Sequence, residues 1–206
     1  MSDYIPGLFM PALETERLNI RPFAMGDLDD IHYILDIELS DVDFGSEGAK
    51  TVKTRQQWLE WTIMSYEQLA RLYQPPYGER AVVLKRTGQL IGAVGFVPCL
   101  APFGQLPSLR SETGDSRLFT TEFGLYYALS PVVHRQGYAT EAVRTMINYA
   151  FETLHLKRIV ATTTHDNTAS MGVMRKTGMR LEKNPYPDPA WFQVVGILES
   201  RGASRS

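Results

Sequence analysis

LSPVVHRQGYATEA, residues 129–142, leaves a strand-like run, breaks at Pro131, passes through Gly137 and the small Ala139, and enters a helix near Thr140. The first turn of any helix carries main-chain N–H groups that no carbonyl of the same helix can accept. Together with the partial positive charge of that helix end they favour phosphate oxygens, and small residues let a pyrophosphate approach the backbone. Arg135 and the Thr140 hydroxyl add charge and hydrogen-bonding capacity. A sharp strand-to-helix turn can also demand glycine for backbone reasons alone, so this segment by itself leaves anion binding and a plain turn both open.

On either side of it the chain alternates strands and helices. Upstream, TTEFGLYYALSP reads as a strand; downstream, Ala142, Met146, Tyr149 and Ala150 keep a helical stripe. KRIVATTT (157–164) is β-branched and strand-like, NTASMGVMRKTG (167–178) a short helix ending at Gly178, and WFQVVGILE (191–199) a last strand. Towards the N-terminus, RLNIRPF (17–23) alternates as a half-buried strand. DLDDIHYILDIEL (27–39) has helical spacing with Asp27 at its start, where a carboxylate caps and favours a helix.

SDVDFGSEGAK (40–50) reads as loop and TVKTRQQWLEWTIMSYEQLARLY (51–73) as a helix with Trp58, Trp61, Leu69 and Leu72 near one stripe, a core-packing pattern. RAVVLKR and QLIGAVGFV flank Thr87 and Gly88 as an antiparallel hairpin. Residues 98–117, rich in Pro and Gly, read as a long inserted loop, a candidate substrate wall or oligomer contact that allows for a homodimer. The order of elements predicts a mixed α/β domain with one parallel crossover, from TEFGLYYAL to KRIVATTT. One domain spanning residues 1–206, with flexible ends at 1–10 and 200–206, is the expected organisation.

Lysine and arginine total 21 against 23 acidic residues, so no cationic excess is available to hold a nucleic-acid backbone. The single cysteine, Cys99, has no disulfide partner within the chain and reads as a small buried hydrophobe. No Cys/His spacing suggests a metal site, and no stretch approaches the roughly 20 apolar residues of a membrane helix. A cytoplasmic protein without metal, membrane or nucleic-acid partner is expected.

HRQGYATEA resembles the pyrophosphate-binding motif of the GNAT acetyltransferases, and its six residues Gly137 to Ala142 are typical of their RimJ/RimL-like branch. LETERLNIRPF is similar to that branch's opening strand, GQLIGAVGF to its central hairpin, and NTASMGVMRKTGM to its Asn-x-x-Ser and Lys-x-Gly segment. His134 departs from the Gln or Arg common in the wider family three residues before the glycine. The resemblance implies a GNAT-like, mostly antiparallel sheet with a splayed parallel strand pair and flanking helices. It also implies direct transfer of an acetyl group from acetyl-CoA, or a close acyl-CoA, to a primary amine on a protein N-terminus or a small molecule.

On that footing Arg135, Gln136, Gly137, Tyr138, Ala139 and Thr140 hold the pyrophosphate, and the backbone of Ala128, Leu129 and Ser130 meets the pantetheine arm. Asn167 caps the last helix and touches pantetheine, and Lys176 reaches the phosphate or adenine side. Ser170 donates to the CoA sulfur, and Glu122 removes the proton from the attacking amine. The plainer readings stay open: a solvated strand-end carboxylate at Glu122, local hydrogen bonds at Ser170, a solvated lysine at Lys176. Rival functions are a noncatalytic acyl-CoA-binding module, and an interaction protein that docks through the 98–117 loop and the tryptophan helix.

Overall fold

The computed structural model describes residues 9–41, 51–110 and 118–200. The expected flexible ends at 1–10 and 200–206, and parts of the loops at 40–50 and 98–117, therefore lie largely outside the described residues. The chain divides into two compact units, residues 1–96 with 126–154 and residues 97–125 with 155–206.

In the first unit the strands β1 (Leu13–Glu14), β2 (Leu18–Arg21), β3 (Gly78–Leu84), β4 (Leu90–Ala101) and β5 (Thr120–Leu129) are hydrogen-bonded in that order. β2 follows from alternation: Leu18 and Ile20 are fully buried while Asn19 and Arg21 are not. β2, β3 and β4 run antiparallel, with Glu79 opposite Gly95, Ala81 opposite Ala93, and a register shift between Val82 and Val83. Gly92 lies so close to β5 that a Cβ there would sit 2.2 Å from the Ala128 oxygen, so only glycine fits.

Helix α1 (Leu28–His32) continues as a wider turn over Tyr33–Glu38. Asp27 does not cap α1 with its side chain. It reaches back instead to the Ala24 N–H at 2.8 Å and takes both ends of the Arg21 guanidinium at 2.7 Å. Helix α2 (Val52–Arg71) starts at Thr51, whose hydroxyl accepts from the Thr54 N–H.

Only part of the expected tryptophan stripe is core. Trp58 meets Phe23 edge-on at 5.5 Å and packs against the buried Ile31, Leu35, Leu59, Ala81, Ala93 and Ala128, whereas Trp61 and Leu72 are exposed. The buried face of α2 runs through Leu59, Thr62 and Leu69, and Trp61 stands about 100° off Thr62. Helix α3 (Tyr138–Glu152) buries Ala142, Met146, Tyr149 and Ala150, as its stripe predicts.

In the second unit the order is β4, β5, β6 (Arg158–Thr163), β8 (Val194–Glu199) and β7 (Arg180–Lys183). β6 and β7 both pair antiparallel with β8, and β5 pairs parallel with β6 at Gly124 opposite Val160. This is a mixed α/β fold with a mostly antiparallel sheet and one parallel pair, as the element order predicts.

Part of the loop expected at 98–117 is ordered structure: β4 continues to Ala101, a 3-10 turn follows at Phe103–Gln105, and Phe103 and Leu106 are fully buried beside Phe192, Val195 and Ile197. The apolar residues spaced between its prolines and glycines supply that core. Helix α4 (Thr168–Lys176) lies against β8, where a Cβ on Gly196 would meet the Met174 sulfur at 2.9 Å. Among the described residues no helix is long and apolar enough to cross a membrane.

Candidate functional site

The N-terminus of α3 has the character its sequence predicts. Gly137 is its N-cap at φ +85°, and Arg135 before it is also left-handed at φ +61°. The first bond of the helix runs from the Glu141 N–H to the Gly137 oxygen at 3.0 Å, and no side chain caps the turn. The N–H groups of Tyr138, Ala139 and Thr140 therefore precede the ladder at the positive end of a 15-residue helix. Arg135, Gln136 and Gly137 are exposed, and Ala139 and Thr140 half-buried.

What holds this turn is a contact that sequence reasoning missed. Arg17 of β2's approach donates from Nε to Glu141 Oε2 at 2.7 Å and from Nη1 to the Gln136 oxygen at 2.9 Å, and its guanidinium lies 4.4 Å above the Tyr138 ring. Thr15 donates its hydroxyl to Glu141 Oε1 at 2.5 Å, and the Arg17 N–H reaches the same oxygen at 3.1 Å. Burial alone would raise the Glu141 carboxyl; these hydrogen bonds outweigh it and hold the group below the usual range. Tyr138 is thus buried under Arg17, and its contribution to an anion site is its main-chain N–H. The signal lay in the sequence as Thr-Glu-Arg at 15–17 and Glu141, but nothing local pairs them across 124 residues.

Along the end of β5, Ser130 donates its N–H to the Ile91 oxygen at 2.9 Å, and its hydroxyl accepts from Val132. That N–H is committed to the sheet. In an antiparallel strand the neighbouring residue points its main-chain groups the other way, so of Ala128, Leu129 and Ser130 it is Leu129 that faces away from β4. The Leu129 oxygen lies 3.0 Å from Nε2 of His134, which gives that unassigned histidine a place.

In the second unit Asn167 caps α4, its Oδ1 accepting the Ser170 N–H at 3.0 Å, while Ser170 is half-buried and Lys176 is exposed in the last turn. Glu122, the expected proton acceptor, is ion-paired in the structure. Arg158 donates to both of its oxygens, at 2.9 and 2.7 Å, and to Glu199 at 3.2 Å. Arg158 thus covers both oxygens of a carboxylate that is 11% exposed. Burial, with the nearby Glu122 charge, pushes the Cys99 thiol up and away from thiolate chemistry.

A second polar group, unremarked in the sequence, stands on the α1–α2 face of the first unit. Asp36 accepts from Arg55 at 2.8 and 2.7 Å and lies 2.8 Å from Nδ1 of His32. Its burial is outweighed by these partners, which hold its carboxyl below the usual range. Glu79 is on the same face, two residues from Ala81, and burial raises its carboxyl. Among the described residues no group of His, Cys, Asp and Glu could hold a metal ion.

Residues 17–180 match the acetyltransferase (GNAT) domain family, and the chain belongs to it. An N-acetyltransferase of Bacillus subtilis, YoaA, is 30% identical over 173 residues, 84% of each chain. Two solved structures share the fold: an acetyltransferase from Agrobacterium tumefaciens (TM-score 0.67, 23% identity, 93% of this chain and 95% of that one) and a ribosomal-protein-S5-alanine acetyltransferase from Vibrio fischeri (TM-score 0.64, 17% identity, 92% and 97%). The protein is an enzyme of the GNAT N-acetyltransferase family, whose acyl donor is acetyl-CoA.

Proposed function

We propose that the protein transfers the acetyl group of acetyl-CoA to a primary amine by direct attack, with a protein N-terminus as the favoured acceptor class and a small amine as the other. The observation that carries this reading is the uncapped α3 N-terminus behind Gly137, braced by Arg17 and Glu141. The N–H groups of Tyr138, Ala139 and Thr140 take the pyrophosphate, with Arg135 and Gln136 beside them. The Leu129 main chain takes the pantetheine arm between Ala128 and Ser130.

In the second unit Asn167, Ser170 and Lys176 are retained as CoA contacts, Ser170 as the donor to the departing sulfur. Glu122 is left out of the proton path. The RimJ/RimL-like branch belongs to the same reading, supported by the Gly-Tyr-Ala-Thr-Glu-Ala run and by the S5-alanine acetyltransferase from Vibrio fischeri among the shared folds, and a cytoplasmic location is proposed with it.

Calorimetric titration with acetyl-CoA tests it. Micromolar binding by the wild type, kept by Gly137→Ala and lost in a folded Gly137→Glu, is the expected result, because the added carboxylate repels the pyrophosphate. A folded wild type that binds no acetyl-CoA overturns the reading, and binding without transfer to any amine would leave an acyl-CoA-binding module.

A further inference from the structure

Among the carboxylates of the described core, Glu79 differs from four that an arginine holds, Asp27, Asp36, Glu122 and Glu141. No lysine, arginine or histidine among the described residues comes within ion-pair distance of Glu79, although neighbours crowd it enough for burial to raise its carboxyl. A half-buried carboxylate with no such partner is costly, and such groups gather where chemistry needs them.

The strand beside it presents no side chain at that level. Glu79 is opposite Gly95, where a Cβ would sit 2.3 Å from the Gly78 oxygen and 2.6 Å from the Glu79 Cα, so no side chain can fill the middle strand at that point. On the far side of Gly95 comes β5. Ile91 bonds Ser130 and Gly92 abuts Leu129, and counting along the antiparallel pair brings Gly95 beside Tyr126. Tyr126 packs on the same face, against Phe23, Ala81, Ala93 and Ala128. Glu79 and Tyr126 thus stand two strands apart, ~10 Å between Cα atoms, across bare glycine backbone. The charged and titratable groups around them are Arg55 and Tyr66 from α2, Asp36 and His32 from α1 and its continuation, and Tyr126 itself; Arg55 and Asp36 are already paired, and Tyr66 donates its hydroxyl to the Glu79 main-chain oxygen at 2.6 Å.

A pantetheine arm leaving the α3 N-terminus runs back along β5 at ~3.3 Å per residue, so four residues from Ser130 bring its far end level with Tyr126. We propose that the acceptor's ammonium group is received between Glu79 and Tyr126, over Gly95, and that Glu79 is the catalytic residue that takes its proton. The inference rests on the acetyl-transfer reading. One proton of R–NH3+ passes to the Glu79 carboxylate, and the freed nitrogen lone pair forms the C–N bond as the C–S bond breaks with its electron pair on sulfur. A second nitrogen proton goes to the CoA thiolate, the third remains on the amide, and Glu79 returns its proton to water.

The test compares wild type with Glu79→Gln, using acetyl-CoA and three amines: spermidine, a peptide with a free alanine N-terminus, and a peptide with one free lysine. Expected are a fall of at least 100-fold in kcat/KM for the amine, loss of the acidic limb of its pH profile, and an acetyl-CoA Kd within twofold of wild type. Glu79→Gln is expected to melt no lower than wild type at pH 7, so lost activity is not lost fold; should it fail to fold, the wild-type profile decides, and an acidic limb within the ordinary carboxylate range overturns the proposal. Glu79→Gln with kcat/KM and acidic limb unchanged overturns this inference alone. A wild type that binds acetyl-CoA yet acetylates none of the three amines also overturns it, and failure to bind acetyl-CoA removes the underlying reading as well.

Discussion

Arg17 and Glu141 meet in a two-point ion pair, Nε at 2.7 Å and Nη2 at 2.5 Å from the same carboxylate oxygen, and the third guanidinium nitrogen holds the Gln136 oxygen. One side chain thus ties β2 to both the loop and the first turn of the helix that carries the proposed pyrophosphate site. Replacing Arg17 with alanine frees that turn while leaving every proposed CoA contact in place. Acetyl-CoA affinity is expected to fall about tenfold and stability by about 1 kcal/mol, the arginine side chain being 41% exposed. Calorimetry beside a thermal melt checks both; unchanged affinity would show that the turn stands without its brace.

Asp36 supplies a pH test. Its carboxyl lies lower in the folded chain than in the unfolded one, so its contribution is present above the ordinary carboxylate value and is lost as pH falls through the folded one. Asp36→Asn is expected to cost about 3 kcal/mol at pH 7, because Arg55 is left largely buried without its partner. The melting temperature of this variant should also depend less steeply on acid than that of wild type.

Glu79 carries the opposite sign. Burial raises its carboxyl, so ionising it costs stability as pH rises from the ordinary value through the folded one. Glu79→Gln removes that cost, and its melting temperature is expected to gain on wild type between acid and neutral pH. A gap that does not widen with pH would contradict the raised carboxyl.

Glu122→Gln separates pairing from proton transfer. Arg158 then keeps only Glu199, and a loss of about 2 kcal/mol is expected. The kcat for acetyl transfer, and its pH profile, should stay within about threefold of wild type. A vanished acidic limb in this variant would return the base to Glu122.

Gly92→Ala tests the close approach of β4 and β5. A Cβ 2.2 Å from the Ala128 oxygen, at φ +151°, forces the strands apart, and denaturant melts should show a loss of about 2 kcal/mol or more.

Local pattern made much of this legible. The alternation of Leu18 and Ile20, the stripe of Ala142, Met146 and Tyr149, and Gly137 at a helix start each declare themselves within a few residues, because strand and helix periods and positive φ are local properties. Pairings across long loops were not legible. Arg17 with Glu141 and Glu122 with Arg158 depend on which strands become neighbours, and the exposure of Glu122 is decided by Arg158 on β6. Trp61 was misread for a milder reason: periodicity gives the spacing of a stripe but not the angle at which the helix is laid down. The proposed Glu79 site is harder still, since Gly95 beside it acts through a side chain it lacks.

The Arg17 brace bears on transplantation. HRQGYATEA moved alone into another strand-turn-helix junction would carry a glutamate with nothing to hold and a Gln136 carbonyl with nothing to claim it. A working graft has to include Thr15 and Arg17 on a neighbouring strand, so the portable unit is a pair of distant segments and not the nine-residue string.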